Sequence, residues 1–181
     1  DYATDKALSQ AYAEHIKAAK ARRPETNPFL APPPLPELVP TVEQIDVAAT
    51  ANDVGVITIG RNSGEFIDRK AEGDFYLTEA EQTLIRTVSA AFHKAGKPVV
   101  VVLNIGGVIE VASWRDQVDA ILLAWQPGQE AGHAMADVLS GKVNPSGKLT
   151  DTFALDLKDY PAAENFPGVT LLGPDPAARG G

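Results

Sequence analysis

With 181 residues, 44% of them hydrophobic, the chain can bury a real core, either as one ordinary domain or as part of a larger protein. Its formal charge of -8 and its want of a basic cluster exclude nucleic acid as a partner; the basic side chains between Lys17 and Arg23 are spaced by alanines along a helical pattern. A sequence without cysteine excludes disulfides, iron-sulfur clusters and thiol nucleophiles while leaving the compartment open, and no apolar stretch approaches the ~20 residues of a membrane span.

Leu8, Ala11, Tyr12, His15, Ile16 and Ala19 recur at helical spacing, which predicts an amphipathic helix within residues 1–22, stopped by Pro24. Residues 23–40 carry Pro24, Pro28, Pro32-Pro33-Pro34, Pro36 and Pro40 with Phe29, Leu30, Leu35 and Leu38 between them, an extended connector lying on a surface. The core is expected over residues 41–155. Thr41 and Gln44 have capping-box spacing ahead of a short helix to Asn52, and the β-branched run at 54–59 follows as a strand covered on both faces. Thr78 and Glu81 repeat the box before a helix whose apolar face is Leu84, Ile85, Val88, Ala91 and Phe92, ended by Gly96 and Pro98.

Residues 99–103 read as a fully buried strand. They lead through Asn104-Ile105-Gly106-Gly107 into a short helix reaching Trp114, then a third strand at 120–125. Gln126-Pro127-Gly128 turns the chain into a helix from 129 to 139 closed by Gly141, and residues 156–181 form an irregular tail. Apolar strands alternating with helices predict an α/β class, a mainly parallel sheet sandwiched by helices. Three strands are fewer than the about five or six of a usual sheet. The sheet is therefore expected to be incomplete at the N-terminus, and a chain starting at Asp1 leaves room for a lost signal peptide or preceding domain.

Glu65 draws attention first. It lies in Ser63-Gly64-Glu65, on a glycine-bracketed loop just past a strand, and ligands of open parallel sheets bind beyond the strands' carboxyl ends. A solvated loop carboxylate is the plain alternative. The same loop holds Arg61, Asn62, Asp68, Arg69, Lys70, Glu72 and Asp74, of which Asp68 and Arg69 are expected to brace it. A phosphate loop at 60–64 lacks the Lys-Ser/Thr pair that nucleotides need, and Ser63 has no nucleophile elbow. His15, His93 and His133 fall on separate helices, so no metal site is expected, nor any cofactor. Trp125 reads as a core residue or as a platform for a sugar ring, and Gly106-Gly107 as a ligand-facing loop or a tight turn.

Ser63-Gly64-Glu65, Asp68-Arg69, the stretches 74–77, 97–103 and 124–130, and the tract at 137–149 together resemble the second domain of glycoside hydrolase family 3, the β-glucosidase group, over about residues 41–153. The earlier helix and connector resemble the preceding part of that domain in bacterial members. The resemblance implies a retaining β-glucosidase-like hydrolase acting on terminal β-linked sugars, with Glu65 as general acid/base and substrate-binding residues left unassigned. It implies an upstream (β/α) barrel domain carrying an aspartate nucleophile, a fibronectin-like C-terminal domain, a β-linked glucoside as substrate, and a periplasmic or secreted location. By itself this chain is then expected not to turn over substrate. Retaining chemistry asks for carboxyls ~5–5.5 Å apart and a protonated Glu65, so Arg61 and Arg69 are expected to turn outward or to pair with Asp68, Glu72 or Asp74. Phe66, Ala131, Thr150 and Ala154 depart from the family pattern, Phe66 bearing on loop flexibility and leaving-group preference. A non-catalytic carbohydrate-binding or scaffold domain is the alternative.

Overall fold

The computed structural model describes residues 6–21, 37–61 and 69–165. In chain order these form α1 (Lys6–Ala21), α2 (Val42–Ala51), β1 (Gly55–Gly60), α3 (Glu79–Lys94), β2 (Val99–Asn104), β3 (Ala120–Leu123) and α4 (Ala131–Leu139), with 3-10 turns at Arg115–Gln117, Leu157–Asp159 and Pro161–Asn165. The strands make a parallel sheet in the order β1-β2-β3, with Ile57 beside Val101 and Val101 beside Ile121. The α/β class with a parallel sheet holds.

Both anticipated capping boxes are formed. In each, the Thr41 or Thr78 hydroxyl accepts the backbone N–H of Gln44 or Glu81, whose side chain accepts the cap residue's N–H. Two otherwise orphaned donors are thereby satisfied at each helix start. At the other end of α3, Gly96 takes a positive φ of 71°, and the Lys97 ammonium donates to the Ala49 and Thr50 carbonyls, fastening the end of α2 to the α3–β2 turn.

Ile85 and Phe92 of α3, with Ala49 of α2, pack against Ile57, Ile59, Val99, Val101 and Leu103 on one face of the sheet. Beyond the strands, Ile105, Ile109 and Trp114 extend this core. β2 is buried at Val99, Val101, Val102 and Leu103, as the apolar run predicts for a central strand. β1 corrects the expectation of cover on both faces: Gly55, Ile57 and Ile59 are buried, whereas Val56 and Thr58 are exposed among the described residues. Its place at the sheet edge, with α3 against one face only, turns a continuous apolar run into an alternating one.

Two further differences concern segments beyond strand ends. Instead of the expected short helix reaching Trp114, residues 105–111 stay open and lead into a turn and the Arg115–Gln117 3-10 segment. The Glu110 N–H donates to the Phe75 carbonyl (2.8 Å), while its carboxylate accepts the Ser113 N–H and hydroxyl, each at 2.7 Å. The first bond commits the backbone to a neighbouring segment, and the other two cap a turn that opens at Val111, whose carbonyl accepts the Trp114 and Arg115 N–H groups. The third strand ends at Leu123, before Trp125, whose φ of 53° is incompatible with an extended chain.

At the opposite edge, the Asp119 carboxylate accepts the Val99 N–H (2.7 Å) and lies 2.8 Å from His93 Nε2, joining β2, the approach to β3 and the end of α3. The Val99 N–H, followed by His93, holds the Asp119 carboxyl below its usual range. A depressed carboxylate stabilises the fold above its unfolded pKa, about 3.9, and loses that contribution as pH falls through the folded value. Asp119→Asn should therefore be less stable than the parent at neutral pH, with a gap that narrows as the pH falls below the ordinary carboxylate pKa of about 3.9. Denaturant unfolding at a series of pH values checks this; a gap independent of pH down to the folded pKa would contradict it.

Candidate functional site

The carboxyl ends of the three strands lie side by side, because the strands are parallel and nearly in register. The Arg61 N–H donates to the Asn104 carbonyl (3.1 Å) and the Ala124 N–H to the Leu103 carbonyl (2.9 Å), so the ladder carries on into the loops. At this rim stand the stems of the 62–68 segment, the Gly106-Gly107 loop and Trp125-Gln126. Ser63, Glu65 and Asp68 lie outside the described residues, as do most of the proline-rich connector and the tail from 166. Arg61 and Arg69, which flank the first of these segments, are described.

Arg61 is buried, its side chain 8% exposed, and makes a two-pronged bridge to Glu81: Nη1 to Oε1 at 2.6 Å and Nη2 to Oε2 at 2.9 Å. Its Nε donates to the Asp74 carbonyl (2.8 Å), and Nη1 also donates to its neighbour's Gly60 carbonyl (2.7 Å). Arg69 grips the Asp74 carboxylate through Nε (3.1 and 3.2 Å) and Nη2 (2.7 Å), and its Nη1 donates to the Val108 carbonyl (2.7 Å) beyond β2. The pairing of Arg69 with Asp74 agrees with the sequence expectation. Arg61 meets Asp74 at its carbonyl, with the carboxylate 3.9 Å from Nε, and takes Glu81 as its main partner. The sequence marked Glu81 only as a capping residue.

Residues 70–76 make the wide turn that presents Asp74 to both arginines. The Phe75 N–H donates to the Lys70 carbonyl, the Tyr76 N–H to the Ala71 carbonyl, and Gly73 sits at φ 74°. Phe75 anchors this turn in the interior, edge-on to both Tyr76 and Tyr160. Desolvation, followed by the nearby Asp156 carboxylate, holds the Tyr76 phenol above its ordinary pKa.

The paired glycines have a steric explanation. A Cβ on Gly107 would lie 2.7 Å from Arg69 Nη1, and one on Gly106 would lie 2.7 Å from Gln126 Nε2. Gln126 therefore belongs to this rim, and no local sequence signal pointed to it. Trp125 packs against the core with its ring 6.4 Å from that of Phe153, so its principal contacts are those of a core residue. His93 pairs with Asp119, His133 with Glu130, and His15 lies on α1; among the described residues no group of three or more His, Asp or Glu side chains could hold a metal ion.

The model of the glycosyl hydrolase family 3 C-terminal domain matches residues 4–175. The chain is 49% identical to β-glucosidase 3B from Thermotoga neapolitana, solved in complex with glucose, with a TM-score of 0.80 over 91% of this chain and 23% of that one. It is 42% identical to β-glucosidase A of Butyrivibrio fibrisolvens over 146 residues, 67% of this chain and 17% of the relative. Over 86 residues, 48% of this chain and 11% of the relative, it is 46% identical to an exo-α-(1→6)-L-arabinopyranosidase of Bifidobacterium breve. The chain thus spans under a quarter of the length of these proteins.

A buried guanidinium stripped of its counter-charge is costly. Glu81→Gln keeps a capping acceptor at the same place but removes the charge, and should destabilise the protein by about 3–5 kcal/mol. Thr78→Ala, which removes the cap alone, should cost about 1 kcal/mol. Denaturant unfolding compares them; equal losses would show that the bridge contributes nothing beyond the cap.

Proposed function

The chain belongs to glycosyl hydrolase family 3, as the C-terminal domain of that family, and on that premise we propose that it supplies the general acid/base of a retaining β-glucosidase-like hydrolase, with Glu65 in that role. The observation that carries this reading is the anchoring of Arg61 and Arg69, four residues before and four residues after Glu65, at the carboxyl rim of the parallel sheet. Ligands of open α/β sheets bind outside that rim. An extended chain covers at most about 3.6 Å per residue, so Glu65 stays within about 14 Å of either anchor.

Retaining hydrolysis needs two carboxyl groups. One attacks the anomeric carbon to form a glycosyl-enzyme, while the other protonates the departing oxygen and then removes a proton from the attacking water. Glu65 performs the second role, and an aspartate on a (β/α) barrel domain performs the first. The acid must hold a proton when substrate binds, and a free arginine beside it would favour the charged form. Both flanking guanidinium groups are engaged by carboxylates, Arg61 by Glu81 and Arg69 by Asp74, which cancels most of that opposition. A terminal β-linked glucoside is the substrate favoured by the β-glucosidase relatives, and a fibronectin-like domain completes the proposed set of partners.

In an intact family 3 enzyme carrying this domain, Glu65→Ala should slow hydrolysis of alkyl glucosides and cellobiose by about 10²–10⁴-fold. Dinitrophenyl glucoside needs no proton for departure, so its turnover should instead be limited by loss of the base and be accelerated by azide. Unchanged turnover of alkyl glucosides, or equal loss on every substrate with no azide effect, would assign the acid/base to another residue and favour a scaffold role for this domain.

A further inference from the structure

We propose that the outer edge of β1 receives a further parallel strand, an apolar segment flanked by lysine and supplied by a part of the intact family 3 polypeptide that precedes this stretch. The Gly55 N–H donates to the Pro98 carbonyl (2.9 Å) and the Arg61 N–H to the Asn104 carbonyl (3.1 Å), so the odd-numbered residues of β1 face β2. A parallel ladder turns alternate residues to opposite sides. The backbone N–H and C=O groups of Val56 and Thr58 therefore point away from β2, and no partner bonds them among the described residues. A row of such groups is a template for another strand.

Alongside that edge runs a groove walled by Val47, Ala48 and Ala51 of α2, Val56 of β1, and Leu84 and Val88 of α3. These walls are apolar, yet Val47 and Val56 are 69% and 49% exposed. An extended segment suits such a place, because its backbone satisfies the strand edge while alternate side chains enter the groove. The surroundings are acidic. Glu37, Glu43, Asp46 and Asp53 are exposed, and residues 37–60 contain no lysine or arginine. Lysines flanking the incoming strand complement that charge.

Chain order indicates where this strand comes from. β1 passes to β2 through α3, which lies on the sheet face formed by Ile57, Val99 and Val101. Crossovers between parallel strands are right-handed, so successive crossovers on one face step across the sheet in one direction. α2 directly precedes β1 and packs on that same face through Ala49, beside α3. A crossover through α2 therefore starts from a strand on the side of β1 away from β2, where the groove lies. Residues 24–40, which lead into α2, include seven prolines, and a proline has no N–H to give to a ladder. α1 occupies the described residues before them, which places the strand ahead of α1 in the chain. The family relatives, of which this chain spans under a quarter, have the length to supply it.

Hydrogen exchange of an intact family 3 enzyme carrying this domain, resolved to single amides, reads the edge directly. The Val56 and Thr58 amides should exchange within about tenfold of the rates of Ile57 and Ile59, as paired amides do, and faster exchange than that would overturn the proposal. Carbodiimide cross-linking with mass spectrometry identifies the occupant. Glu43, Asp46 or Asp53 should join to a lysine ahead of residue 1 in the same polypeptide; no such link, or links from these three only within residues 1–181 or only to a second copy, would overturn it as well. Thr58→Pro removes an N–H that does not bond β2, and an open edge tolerates that change. In the intact enzyme it should lower the unfolding temperature well beyond Thr58→Ala, which keeps the N–H, whereas equal shifts would show that nothing pairs there. Should Thr58→Pro fail to fold, exchange and cross-linking on the unaltered enzyme decide.

Discussion

Burying the Arg61 guanidinium is tolerable only because Glu81 meets it with both carboxylate oxygens, and this requirement organises the described domain. The Glu81 Oε2 atom accepts from Arg61 Nη2, from the Thr78 N–H at 2.8 Å and from the Thr78 hydroxyl at 3.0 Å, so one carboxylate closes the α3 capping box and seals the end of β1. A buried charge without a partner costs several kcal/mol. The first turn of α3 is therefore held against the carboxyl end of β1, which places Ile85 and Phe92 over Ile57, Val99 and Val101. Strand, loop stem and helix start share one electrostatic joint.

From that joint the rim follows. Asp74 accepts Arg61 at its carbonyl and Arg69 at its carboxylate, and Arg69 continues to Val108, so the polar links run from α3 across β1 to the loop beyond β2. On the far side, Gln126 lies over Gly106, bringing in the chain after β3. Opposing charges in this row are matched. Arg61 and Arg69, the described residues on either side of the 62–68 segment, are thereby each held by a carboxylate.

The two edges of the sheet have different tasks. The amino edge, where Asp119 ties Val99 to His93, holds strands and helix together and presents no comparable convergence of loops among the described residues. At the carboxyl edge Arg69, the Gly106-Gly107 loop and Gln126 converge, with glycines where the side chains cross. Support at the amino edge leaves the loops at the other edge free to differ while the ladder between β1 and β2 remains intact.

What the sequence determined by itself were features whose physical cause is local. The boxes at Thr41/Gln44 and Thr78/Glu81 close over three residues, Gly96 ends α3, and the unbroken apolar run of β2 reads as a buried strand. The partnership of Arg69 with Asp74, five residues on, was also within reach of a local reading. The interest in Glu65 came from its place after a strand and from a family resemblance, and its own surroundings lie outside the described residues. Tertiary structure alone decided the rest. Arg61 reaches Glu81 across 20 residues and Arg69 reaches Val108 across 39, contacts that exist only because β1 and β2 are neighbours. The same adjacency leaves β1 at an edge with one face exposed, draws Glu110 to Phe75 in place of a helix, and brings Gly106 and Gly107 against the Gln126 and Arg69 side chains. No spacing in the chain encodes which strands lie side by side, because that order is set by the packing of the whole core.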